Sequence, residues 1–171
     1  MQSRKQSPRP WRRNGILGMS LVALFALGAI ALWPAALPVA EAGQEQSVFA
    51  EDGIAIRGYD PVAYFTEGEP VAGSPAHTFE WKGVTWRFVN VGHRERFADN
   101  PEMYAPAYGG YCAWAVAAKG ELYSIDPHAW RIVDGTLYLN YSDAIQQRWE
   151  QDISGFIEQG NERWPQVMAD S

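Results

Sequence analysis

The chain predicts an α+β domain, a small antiparallel sheet built from two β-hairpins, packed with short helices and followed by two C-terminal helices. Three observations predict it. Residues His77 to Trp81 and Val84 to Phe88 alternate between two faces on either side of Lys82-Gly83, the pattern of a tight hairpin. A second pair, Trp130 to Val133 and Thr136 to Asn140, turns at Asp134-Gly135, a dipeptide that tolerates the positive backbone angles of a two-residue turn. Helix-opening residues stand between and after the hairpins with no regular strand-helix-strand rhythm, which separates this pattern from a doubly wound fold.

Taken in order, the first 42 residues read as an address. Arg4, Lys5, Arg9, Arg12 and Arg13 precede an apolar stretch from Ile16 to Trp33, and Ala40-Glu41-Ala42 offers a small-x-small cleavage site. That layout is either a cleaved secretory signal over 1–42 or, since the stretch reaches the lower limit for a span, an uncleaved anchor to the inner membrane through residues 16–33. Both readings put the remainder in the periplasm or another extracytoplasmic space. Arg12-Arg13 matches the twin-arginine route weakly.

A polar lead-in over 43–53 is followed by Asp60-Pro61, a capping carboxylate with proline at the first helical position, opening a helix through Phe65. The first hairpin places His77, Phe79 and Trp81 on one face. Asn90 caps a helix through Arg94 and Phe97, and Asn100-Pro101 opens another turn carrying Met103, read as core filler. After Gly109-Gly110, the alanine-rich run from Tyr111 to Lys119 predicts a helix closed by Gly120, with Cys112 in its first turn on a face with Ala115 and Val116. Ser142 caps a helix carrying Ile145, Trp149 and Ile153, and a last helix from Phe156 to Trp164 ends near Pro165. These elements make one domain, with a tail over 166–171.

From Gly43 the chain has nine Lys and Arg against 19 Asp and Glu. Such a surface disfavours nucleic acid, because a phosphate backbone needs clustered bases. Six Trp, eight Tyr and six Phe in that stretch supply a core from large flat side chains without disulfides. No phosphate-cradling loop, zinc-hydrolase helix or nucleophile elbow is present, and one cysteine cannot make the usual covalent haem attachment.

Gly58-Tyr59-Asp60-Pro61-Val62, Trp86-Arg87-Phe88, Arg94 to Phe97, Asn100 to Tyr104 and Gly109-Gly110-Tyr111-Cys112-Ala113 resemble, in that order, segments of the exported branch of the YHS-domain family. The resemblance runs from about Ile54 to Pro165. It implies a relation to the small YHS and TRASH metal-binding modules of copper-handling transporters and heavy-metal sensors, which use cysteines at three recurring places. This chain has Ala63, Val89 and His93 there. Neither Ala nor Val can donate an electron pair to a metal, so of the implied site His93 alone remains.

Cys112, the single cysteine, thus admits three roles. It joins His93, His77 or Met103 in a rebuilt soft-metal site, for which copper is the fitting cofactor. Alternatively it is a redox-active thiol near a helix start, the one catalytic candidate in the chain, an assignment that the selenoprotein members of the family favour. Or it is a small buried hydrophobe in a structural or interaction module, probed by a protein partner of the envelope. His128, after Asp126-Pro127, reads as a turn residue.

Overall fold

A computed structural model describes residues 48–171, so the segment 1–42 read as a signal or anchor lies outside the described residues. The α+β class holds, in an arrangement of two sheets rather than one. The larger sheet contains β1 (Ala50–Glu51), β2 (Ile54–Ala55), β3 (Ser74–Trp81) and β4 (Val84–Phe88) in the order β1-β2-β4-β3. β2 runs parallel to β4, with Ile54 opposite Thr85, while β3 and β4 form the first predicted hairpin, Phe79 opposite Trp86. β5 (Asp126–Val133) and β6 (Thr136–Asn140) form the second hairpin as a sheet of its own, Trp130 opposite Leu139. Both turns adopt the expected backbone, with positive φ at Lys82 and Gly83 and at Asp134 and Gly135.

The helices are α1 (Ala63–Thr66), α2 (Val91–Asp99), α3 (Pro101–Tyr104), α4 (Ala113–Lys119), α5 (Asp143–Trp149) and α6 (Ile153–Ala169). Asn90 Oδ1 accepts from the His93 N–H at 2.9 Å and Ser142 Oγ from Ile145 N–H at 3.4 Å, so two of the capping residues read from the sequence cap as expected. One part of the core is aromatic. Phe97 of α2 meets Trp86, Phe88, Trp81 and Phe79 with ring centroids 4.9, 5.2, 5.7 and 6.2 Å away. The other part gathers Leu137 and Leu139 of β6, Trp149 of α5 and the buried alanines and Val116 of α4, whose small side chains let α6 pack closely.

Several elements differ from expectation, each for an identifiable reason. Val48 and Phe49, within the polar lead-in, are buried, and the Phe49 N–H donates to Gly109 O at 2.9 Å. The helix after Ser142 breaks at a 3-10 turn over Glu150–Asp152, because Asp152 Oδ1 accepts from Gly155 N–H and starts α6 anew. Pro165 does not end α6. The helix continues to Ala169, holding Val167 in the core near Gly120, and that packing offsets the one N–H that proline lacks. Residues 166–169 are therefore helix rather than tail. α4 begins at Ala113, with Cys112 as its N-cap residue, and Met103 is 54% exposed rather than core filler.

Gly160 marks where α6 lies close against Tyr108. A β-carbon there would lie 2.5 Å from the hydroxyl of Tyr108, which donates to Ile157 O and lies 3.1 Å from Asn161 Oδ1. Alanine normally improves a helix interior over glycine by about 1 kcal/mol. Gly160→Ala is instead expected to destabilise the domain by about 1–3 kcal/mol, because Tyr108 must leave its partners, as urea unfolding will measure.

Candidate functional site

Cys112 follows the turn Tyr108-Gly109-Gly110, in which all three residues have positive φ. The glycine pair serves the backbone: a β-carbon on Gly110 would lie 2.8 Å from Ile56 Cγ2. From this turn the Cys112 N–H donates to Tyr123 O at 3.1 Å and its Sγ lies 3.8 Å from Asn140 Oδ1. Asn140 Oδ1 also accepts from Trp114 N–H at 3.2 Å, which fixes the amide orientation and leaves its buried Nδ2 with no hydrogen-bond partner. Cys112 itself has no exposed surface. Burial pushes its thiol pKa up, and the N–H groups of Ala115, Tyr141 and Trp114 and the charge of Lys119 pull down less strongly. A thiol nucleophile needs the opposite, a lowered pKa and access.

His93 belongs to a different constellation. The fully buried Asp60 carboxylate accepts through Oδ1 from Val62 N–H at 2.8 Å and Ala63 N–H at 3.3 Å, and through Oδ2 from Val89 N–H at 2.9 Å. His93 Nδ1 completes the set at 2.7 Å from Oδ2. A carboxylate amid donors accepts only, so the ring proton sits on Nδ1 and Nε2 faces Thr66 Oγ1 at 3.3 Å and Glu67 Oε1 at 3.7 Å. Ala63, Val89 and His93 thus converge on one side chain. Sequence reasoning read Asp60 as a local cap and missed its long-range role, since nothing in Asp60-Pro61 announces Val89 or His93.

The remaining sequence candidates lie apart from these two. His77 is half-buried on β3, an edge strand of the larger sheet. His128 is exposed on β5 rather than in a turn, and its Nε2 lies 3.2 Å from the Tyr59 hydroxyl. Among the described residues no group of three or more His, Cys, Asp or Glu side chains is arranged to hold a metal ion. Cys112, His93 and His77 are accordingly not gathered into one coordination set.

The feature adjoining Cys112 is a groove of about 480 Å³ between the ends of α4 and α5. Trp114, Tyr123, Tyr141 and Ile145 line it together with Lys119 and Arg148, and Cys112 lies beneath its floor. Lys119 Nζ donates to the Tyr123 hydroxyl at 2.7 Å and stands 4.6 Å from that ring's centroid and 5.9 Å from Trp114's. The rings of Tyr123 and Tyr141 meet edge-on at 6.5 Å, and Tyr141 remains 52% exposed. No single spacing rule links these residues, because they come from α4, the loop after it, the approach to α5 and α5 itself. A larger concavity of about 780 Å³ beside α6 is shallow and lined by Asp134, Glu150, Asp152, Glu158 and Glu162, with no aromatic wall. Among the described residues no helix is long and apolar enough to cross a membrane.

No family model, curated protein or solved structure matches this chain.

Two measurements check this geometry. Since its pKa lies above that of a free thiol, Cys112 holds less thiolate at every pH, so its alkylation midpoint in the folded protein is expected above the ordinary value of about 8.5, with rapid reaction on denaturation. A midpoint below that value would mean an activated thiol. Asp60→Asn turns an –NH₂ toward donors that need an acceptor, and urea unfolding is expected to register a loss of about 2–4 kcal/mol.

Proposed function

We propose that the chain is an exported, YHS-like binding module that acts through the groove bordered by Trp114, Tyr123 and Tyr141, with Cys112 as a packed part of its foundation. The observation that carries this reading is the groove itself. A concave site of about 480 Å³ with aromatic walls and a few polar groups is the usual form of a small-molecule site, whose volumes run from about 300 to 1,000 Å³. Export is supported by the basic start, the apolar stretch over 16–33 and the small-x-small site ending at Ala42.

The convergence of Ala63, Val89 and His93 on Asp60 supports the YHS-like assignment. In this reading a carboxylate–imidazole pair occupies the place where relatives gather thiolates, and it holds the fold instead of a metal. A copper site uniting Cys112, His93 and His77 has less support, because Cys112 and His93 satisfy their polar atoms with separate partners. Thiol exchange has less support because the sulfur has no exposed surface.

The test is a nuclear magnetic resonance titration of the purified protein with 2-naphthylmethanol, an uncharged aromatic probe. Chemical-shift changes are expected to concentrate at Trp114, Tyr123, Tyr141 and Ile145, and Tyr141→Ala, at an exposed position, should weaken binding about fivefold or more. Shifts scattered over the surface, or centred on His93, would overturn the reading.

A further inference from the structure

We infer that the groove selects an aromatic carboxylate, held by its ring between Trp114, Tyr123 and Tyr141 and by its anionic head at Lys119 and Arg148. This rests on the reading of the groove as a ligand site.

The chain carries 20 acidic residues against 14 basic ones, yet the groove is lined by two bases and no acid. Neither base is neutralised: Arg57, Arg94 and Arg131 make ion pairs with Glu51, Glu95 and Glu150, whereas Lys119 and Arg148 make none among the described residues. The hydrogen bond to the Tyr123 hydroxyl holds the Lys119 pKa up, with the field of Glu121 a lesser contribution from outside the groove lining. That bond uses one of the three ammonium protons, so two remain for a ligand. Arg148 is exposed in the same lining, and its guanidinium matches a carboxylate with two parallel N–H donors. Such an arrangement attracts an anion and repels a cation.

Three aromatic side chains and Ile145 offer flat and apolar surface, while Ser142 is the one uncharged hydroxyl of an aliphatic side chain in the lining. A sugar or a peptide backbone would leave most of its polar groups unsatisfied there, at a cost for each. A planar ring would stack or meet the tyrosine edges, as Tyr123 and Tyr141 already do with each other. The cations and the rings of the lining therefore specify an amphipathic anion with a planar body.

A matched series separates this inference from the reading beneath it. Isothermal titration of the purified protein is carried out with 2-naphthoate, 2-naphthylmethanol and 2-naphthylmethylamine, which share a ring system and differ in head-group charge. The acid is expected to bind about tenfold more tightly than the alcohol, with the amine weakest, and this ratio should shrink as salt is raised from about 0.05 to 0.5 M. In Lys119→Gln and Arg148→Gln, both exposed positions, the acid-to-alcohol ratio should fall toward one. Equal binding of acid and alcohol overturns the selection for an anion while leaving a ligand site in the groove. Binding of none of the three overturns both. A preference for the acid that persists unchanged in the two variants also overturns the inference, since the anion would then be recognised elsewhere.

Discussion

A charge buried without solvent persists only where several donors surround it, and the Asp60 carboxylate meets that condition by drawing on three separate parts of the chain. Val62 and Ala63 come from the opening of α1, Val89 from the exit of β4 and His93 from the first turn of α2. Each donor fixes one element against the others. α2 is held twice, since the His93 backbone N–H is taken by Asn90 while its ring is taken by Asp60. Phe97 lies four residues further along the same helical face, so an anchored His93 delivers Phe97 into the ring cluster of Trp81, Trp86 and Phe88. The aromatic core of this half is therefore placed by a polar contact at its edge.

Local features were legible in the sequence, and what depends on distant partners was not. Lys82-Gly83 and Asp134-Gly135 located both hairpins because turn chemistry is decided within two residues. Asn90 and Ser142 located two helix starts for the same reason. The assembly of the sheets was hidden, because β1 and β2 are two residues each and the parallel pairing of Ile54 with Thr85 leaves no periodic trace. Pro165 was misleading because the packing of Val167 beyond it outweighs a local rule. The groove was illegible for a related reason: its lining residues were each visible, but their proximity depends on Gly120 turning the chain at φ +69° after α4 and on β6 delivering Tyr141 beside Tyr123.

The two constellations share a design in which one polar side chain ties distant segments, with different completeness. Asp60 has a donor for each oxygen and more. Asn140 spends its oxygen on Trp114 and Cys112 and leaves its nitrogen without an acceptor, an unfavourable state for a buried amide. The same contacts set Trp114 at the groove wall and Cys112 under its floor, so the packing that deactivates the thiol also shapes the concave surface above it.

In an oxidising medium, burial of the sole thiol would decide when the chain can cross-link. A folded molecule cannot form an intermolecular disulfide, since the sulfur is shielded and its proton is held. An unfolded one can, and with no second cysteine in the chain its covalent partner must be another molecule. Disulfide-linked dimers would thus accumulate in proportion to how often the domain opens, and each would persist until another thiol reduced it by exchange.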